Sequence, residues 1–392
     1  MDSNVSSSVT NVALPAPEAA PPPGGITGAR LVIFASLLGA ILLVATWFVS
    51  ATWVRFTEAS SLAWRWVPML LTLGFVPGML LGFRRANPLV RALNVLSSLA
   101  IGLLSFGVFA ALATWVAVGA ATVLALPAAP QFTAYLFFGV AALVAGYGLL
   151  NAAWLRVTRV TVTLPNLPPR WRGRTVALVS DVHLGNIRAD RFVRRIVARL
   201  NALRPDAVFL AGDMFDGAKL EVDRVVRPWR ELSAPAGVYF VSGNHDEFHD
   251  RVPLLAALSR VGVRVLNNEK VTVDGLQIVG VHDGEASDPR IYREVLRAAQ
   301  IDRALPSILL AHQPVNLAVA AEAGVSLQLS GHTHGGQFWP WSWVAARAHG
   351  RFVYGFNAFD AMLVFTSSGA GTWGPPLRVG TRSELVLIRL EA

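Results

Sequence analysis

The chain contains no cysteine among its 392 residues, which excludes disulfides and thiolate metal ligands and fits a reducing compartment. Charge is scarce as well. Only 15% of residues are charged against 53% hydrophobic, and mean hydropathy is +0.47, whereas soluble domains carry about 25% charge. The scarcity is uneven, because Ala92 to Gln131 holds no charged residue at all. Histidine is missing from the first 182 residues, and all 8 lie at or after His183. These absences exclude one uniform soluble domain. They divide the chain into an apolar first part and a chemically equipped second part.

Residues 1–29 are rich in Ser, Ala and Pro and offer too little apolar surface to offset ordering entropy, which predicts a disordered tail. The tail is long and the apolar run after it is a full span, so it does not read as a cleaved signal peptide. Four apolar segments follow, at roughly 31–54, 66–83, 92–117 and 132–154, each near the ~20 residues of a membrane-crossing helix. Residues 30–155 are therefore expected to form an all-α, four-helix transmembrane region. The uncharged stretch reads as one helix plus an apolar loop around Pro127 and Pro130, or a re-entrant piece. Trp53, Trp64, Trp66 and Trp154 fall near span ends, where indoles favour the interface.

The basic residues orient the spans. Arg84, Arg85 and Arg91 occupy the second connection, and Arg156, Arg159, Arg170, Arg172 and Arg174 follow the fourth span, while 118–131 has none. In the first connection, Arg55 and Arg65 are partly offset by Glu58. The positive-inside bias then puts the second connection and the C-terminal half in the cytoplasm of a multi-pass inner-membrane protein. Residues 156–173 read as a basic linker. The net charge of +9 hugs this boundary, which favours anionic headgroups over nucleic acid as partner.

From residue 174 to 392, short apolar runs alternate with helical stretches. Strands are expected at Val176–Ser180, Ala207–Ala211, Val238–Val241, Val263–Leu266, Val271–Val273, Gln277–Val281, Ser307–Ala311, Ser326–Ser330, Met362–Thr366 and Leu385–Leu390. Helices are expected at Ala189–Leu203, Val222–Leu232, Val252–Val261, Pro289–Ala299 and Pro314–Ala323. The alternation predicts an α/β layered fold, and the closing run of strands predicts a second, mixed sheet.

Five polar clusters each follow one of these strands: Asp181-Val182-His183, Gly212-Asp213, Gly243-Asn244-His245-Asp246, His312, and Gly331-His332-Thr333-His334-Gly335-Gly336-Gln337. Ligand sites of α/β sheets gather at such carboxyl ends. If the backbone stays extended there, Asp181 with His183, and His332 with His334, each point two groups one way. Asp-x-His alone is more often a turn, and Gly-Asp after a strand is a common loop. Imidazoles directly after an apolar strand, with glycines permitting close approach, are rarer. All five in this order spell out a two-metal site.

The ordered set resembles the calcineurin-like metallophosphoesterase superfamily over about 172–392, including Gly369, Gly371, Arg378 and Glu384, and within it the bacterial membrane-anchored phosphodiesterase branch. The resemblance implies a four-layer sandwich of two mixed β-sheets flanked by helices. It implies one metal on Asp181, His183, Asp213 and His334, and a second on Asp213, Asn244, His312 and His332, with Asp213 bridging. Imidazole and oxygen donors without sulfur suit Mn, Fe or Zn. The ions would polarise the phosphoryl oxygens and lower the pKa of an attacking water. His245 would protonate the leaving oxygen, oriented by Asp216. His249, His282 and His349 match no ligand position and read as surface or pocket residues.

Substrate class follows by exclusion. Gly212-Asp213-Met214-Phe215-Asp216-Gly217-Ala218 and Gly243-Asn244-His245-Asp246 depart from the Gly-Asp-x-x-Asp-Arg-Gly and Gly-Asn-His-Glu of protein phosphatases. The spans point to a lipid or lipid-linked phosphodiester at the inner leaflet; the resemblance adds a UDP-diacylglucosamine-type pyrophosphate. Phe338, Trp339, Trp341 and Trp343 are expected either to form an aromatic lip or to pack between the sheets. Competing readings are a broad phosphomonoesterase or nucleotide phosphodiesterase, and a non-catalytic membrane sensor.

Overall fold

A computed structural model of the chain describes residues 9–13, 28–59, 61–85, 87–127, 129–217, 219–248 and 251–392. It divides into two compact units. The helical unit spans Gly24–Ala153 and includes Trp373–Val379. Its helices are α1 (Gly28–Thr57), α2 (Ala63–Leu73), α3 (Phe75–Arg84), α4 (Pro88–Val123) and α5 (Pro130–Ala153). Among the described residues, four stretches are long and apolar enough to cross a bilayer: Ala35–Thr57, Trp66–Arg84, Pro88–Val123 and Pro130–Ala153.

The second stretch is two helices, α2 and α3, meeting at Gly74, with Pro68 inside α2 and Pro77 early in α3. Proline removes a backbone donor and crowds the preceding turn, so a break there is expected. Helix α4 carries the uncharged run to Val123, and the connection to α5 is short. Polar contacts join helices of this unit. Thr46 and Thr72 hydroxyls lie 2.9 Å apart, and Asn94 Nδ2 donates to Gly78 O at 2.7 Å.

Among the described residues, the other unit contains thirteen strands. A six-stranded sheet runs β2-β13-β3-β4-β5-β6, from β2 (Arg156–Thr163), β3 (Thr175–Val179), β4 (Ala207–Ala211), β5 (Val238–Val241), β6 (Arg264–Val265) and β13 (Glu384–Glu391). Pairing is parallel except between β13 and β3. A seven-stranded mixed sheet runs β1-β7-β8-β9-β10-β12-β11, from β1 (Val9–Ala13), β7 (Glu269–Val273), β8 (Leu276–Gly280), β9 (Ser307–Leu310), β10 (Leu327–Ser330), β11 (Gly355–Phe359) and β12 (Met362–Thr366).

Strand alternation builds the layers. Val176, Leu178 and Phe209 enter a core shared with Ile278, Ile308, Leu310 and Leu329 of the other sheet. Their neighbours Ala177, Val179, Val208 and Leu210 face outward onto α6 (Asp190–Leu203), α7 (Val222–Val226) and α8 (Arg251–Arg260). On the far side, Val279, Leu309 and Val364 meet α10 (Pro289–Ala298) and α11 (Leu317–Ala323); the short α9 (Asp283–Ser287) and α12 (Trp341–His349) complete the set. This is the four-layer sandwich of two mixed sheets flanked by helices.

Two boundaries differ from the sequence reading. The 156–173 linker contains β2, which pairs with β13 along all eight of its residues. Within the 1–29 tail, Val9–Ala13 forms β1 antiparallel to β7; the rest of the tail lies outside the described residues, apart from the start of α1. Both are edge strands, where one neighbouring strand suffices and polar residues tolerate the open side.

Candidate metal centre

Every predicted ligand leaves the carboxyl end of a strand. Asp181 and His183 follow β3, Asp213 follows β4, and Asn244 and His245 follow β5 in one sheet; His312 follows β9, and His332 and His334 follow β10 in the other. Left-handed turns then bring them together. Asp181 (φ 53°), His183 (49°), Asp213 (52°), His332 (70°) and His334 (52°) all have positive φ, a conformation costing L-residues about 1–2 kcal/mol each. The extended i, i+2 geometry expected of the Asp181/His183 and His332/His334 pairs is therefore not found. Surrounding bonds hold the turns: His183 N donates to Asp213 O at 3.1 Å, and His332 N donates to Asp181 Oδ1 at 2.9 Å. Glycine is required beside them. A Cβ on Gly243 would overlap the Asp213 carboxylate, and one on Gly331 the Asp181 carboxylate.

Among the described residues, three groups of side chains present donor atoms close enough to share an ion: Asp181, His183 and His334; His183, Asp213 and His245; and Asp213, His312 and His332. His183 Nε2 and His334 Nε2 lie 3.0 Å apart, with Asp181 Oδ1 3.6 Å from the latter. Asp213 Oδ2 stands between the groups, 3.6 Å from His183 Nε2 and 3.2 Å from His312 Nε2. Asn244 Oδ1 is 2.9 Å from His332 Nδ1. His312 Nδ1 donates to Ala211 O at 2.8 Å, which fixes the tautomer and turns Nε2 toward Asp213. Asp216 Oδ1 is 3.3 Å from His183 Nδ1 and 3.8 Å from His245 Nδ1. It thus serves the predicted ligand more closely than the predicted acid.

The electrostatics match a cation site. Asp181 and His312 are fully buried. Burial raises the Asp181 pKa, with Asp213 adding to the rise against the pull of His312. Burial also opposes ionisation of Asp213, but His312, His183 and His245 outweigh it and hold that carboxyl far below its ordinary range. His312 is the converse: burial disfavours its charge, yet Asp213, Asp181 and Asp283 raise it well above the ordinary value. Burial and the field of His312 push His332 down to about 3. Two ring nitrogens facing each other at 3.0 Å beside buried carboxylates are donors that a shared divalent cation satisfies, and nitrogen with oxygen donors fits the intermediate metals.

Other residues gain roles that the motifs did not assign. Asp246 accepts from Phe215 N (3.0 Å) and Gly243 N (2.8 Å), joining the β4 and β5 loops. Asp283 Oδ2 accepts from Gln313 Nε2 at 3.0 Å, beside His312. His282 is buried, with Glu285 at Nδ1 and Glu247 2.8 Å from Nε2. Glu384 is also buried; it accepts from Ser368 N at 2.9 Å, steadying the loop whose Gly371 N donates to Asp181 O at 2.7 Å. For Asp246 the sequence signal is an acid three residues after Gly243; Asp283 and Glu384 have no residue of the five clusters beside them in the chain. His349 meets His332 edge-on at 5.9 Å; His249 lies outside the described residues. Phe338 is buried, unlike Trp339, Trp341 and Trp343, so it does not belong to an exposed lip.

The calcineurin-like phosphoesterase family matches residues 174–336. A metallophosphoesterase of Aquifex aeolicus is 31% identical over 262 residues, which cover 64% of this chain and 98% of that protein. One from Helicobacter pylori is 34% identical over 224 residues, 55% of this chain and 59% of its own. A bovine transmembrane protein with metallophosphoesterase domain is 33% identical over 270 residues, 62% of this chain and 59% of its own. The chain belongs to the calcineurin-like metallophosphoesterase family. It spans about three fifths of the length of the Helicobacter and bovine relatives.

Proposed function

We propose that the chain is a membrane-anchored, metal-dependent phosphodiesterase or pyrophosphatase acting on a lipid or lipid-linked phosphoester. The observation that carries it is the single Asp213 carboxylate common to two donor groups, one with His183 and His245 and the other with His312 and His332. Asp181, His183, Asp213 and His334 would hold one divalent ion, and Asp213, Asn244, His312 and His332 a second, as Mn, Fe or Zn. Bound ions supply Lewis-acid polarisation of the phosphoryl oxygens and a nucleophilic water of lowered pKa.

The chain's residues supply the rest. His245 N donates to Asp213 Oδ1 at 2.9 Å, which ties the proton donor's backbone to the shared ligand. Its Nδ1 faces Asp216, leaving Nε2 for the leaving oxygen as the ester P–O bond breaks. Burial, then the charge of His183, lowers His245 to about 4, so the resting imidazole is neutral. The negative charge of a bound phosphoester favours its protonated form. The four apolar helices confine the enzyme to a bilayer, which favours a substrate held in the same membrane; the arginine bias favours a cytoplasmic site at the inner membrane.

The test is turnover by the manganese-loaded full-length chain in detergent, on a chromogenic phosphodiester, the matching monoester and a phosphodiester lipid. Diester hydrolysis that falls about 10²–10⁴-fold in His245→Ala supports the reading. Turnover no greater than in that variant overturns it.

A further inference from the structure

Helix α12 has no buried residue, although its sequence is Trp-Ser-Trp-Val-Ala-Ala-Arg-Ala-His. Trp339, Trp341 and Trp343 are 55%, 54% and 57% exposed, and Val344 is 46% exposed. Single exposed aromatics are ordinary, but a contiguous apolar patch marks a surface that meets something. A helix rich in apolar residues needs a neighbour to cover them.

The helix is nevertheless fixed to the metal-site loop at both ends. Gly336 packs so tightly on Trp341 and Ser342 that a Cβ would overlap their backbone. Ser342 N donates to the carbonyl of buried Phe338 at 3.0 Å. Beyond the helix, Thr333 Oγ1 donates to Val353 O at 2.6 Å, and His349 lies against His332. The bare side is therefore a fixed part of the loop bearing His332 and His334. Its charge is of one sign. Arg347, whose guanidinium lies 5.2 Å from the Trp343 ring centre, and Arg351 are exposed. No Asp or Glu occurs from Gly331 to Phe359.

We propose that Trp339 and α12 form an interfacial anchor that inserts its indoles into the headgroup–acyl boundary of an anionic bilayer. Tryptophan favours that boundary, and uncompensated arginine complements anionic headgroups. On α12, Trp341 and Val344 share one face, and Trp343 stands with Arg347 one turn on, so indole and guanidinium lie together as the headgroup level favours. The occupant is the bilayer that the apolar helices of the same chain would cross, since such tethering makes its local concentration high. The anchor deepens the proposed function and rests on it for the lipid substrate, because it puts the His332–Gly336 loop beside the layer that holds the scissile phosphate.

The absence of cysteine makes the test direct. Nitroxide-labelled Val344→Cys and Arg290→Cys chains, full length in nanodiscs of phosphatidylglycerol and phosphatidylcholine, are compared by spin-resonance saturation with oxygen and a water-soluble nickel chelate. Arg290 is an aqueous control, its side chain being 84% exposed. Expected is an oxygen-dominated label at Val344 and a nickel-dominated one at Arg290. A Val344 label as nickel-accessible as the control overturns the anchor; so does one shielded from both reagents, which indicates a protein partner. In a second arm, Trp341→Ser with Trp343→Ser should lower kcat/KM on vesicle-borne phosphodiester lipid by about tenfold, equivalent to 1.4 kcal/mol, and leave a water-soluble chromogenic phosphodiester unchanged. Equal loss on both substrates, or on neither, overturns it. Insertion of Val344 without hydrolysis of any lipid phosphoester retains the anchor and removes the lipid-substrate reading.

Discussion

At Asp213 one carboxylate oxygen lies within 3.6 Å of His183 Nε2 and 3.2 Å of His312 Nε2, while the other accepts from His245 N. If the proposed two-ion reading holds, Asp213→Ala should empty both positions together, so elemental analysis of the purified chain should find metal content lost as a pair and not halved. Asp216 touches the ring of His183 from outside the ligand set, and such partners are worth about 10–100-fold in metal affinity or activity; Asp216→Asn should lower activity in that range while still folding. His282 gives a pH signature away from the ligands. Burial disfavours its charge, but Glu247 and Glu285 outweigh burial and raise it to about 9 from an ordinary 6.5. A raised histidine stabilises the fold fully below the unfolded value near 6.5 and loses that contribution as pH climbs through about 9. The destabilisation of His282→Gln, up to about 3 kcal/mol by that shift, should be largest below pH 6.5 and fade above 9 in denaturant melts.

Strands with continuous apolar runs were legible because both of their faces are buried: Ala207–Ala211 and Ser307–Leu310 have no exposed side chain. Edge strands were not. Arg156–Thr163 buries only Val162, its other residues being half-buried or exposed, and its arginines read as membrane-boundary charge. Gly355–Phe359 contains Gly355 and Asn357, poor strand formers whose place is set by pairing with Met362–Thr366. In the site, the side chains that gather could be named from motif order, but their convergence could not. It depends on left-handed backbone that residue type alone does not announce, as at Asp181 and His183. The packing of loop on loop leaves little room. Gly243→Ala should cost about 1–3 kcal/mol through overlap with Asp213, measured as a lowered denaturation midpoint, with metal retention reduced in the same protein.

For the whole molecule, ions that bind only the folded state should stabilise it by mass action. Chelation should lower the melting temperature of the phosphoesterase unit, and returning manganese to about a hundred times its dissociation constant should restore about 2.7 kcal/mol. The left-handed residues of the candidate site add a consequence of another kind. Five strained residues at about 1–2 kcal/mol each rival the whole margin of a domain, about 5–15 kcal/mol. Glycine relieves that conformation at a single codon change for Asp181 or Asp213. In metal-free protein, where no bound ion offsets the strain, a heat-challenge screen of random variants should therefore enrich catalytically dead survivors first, and breeding a robust yet active form requires scoring turnover and melting temperature together.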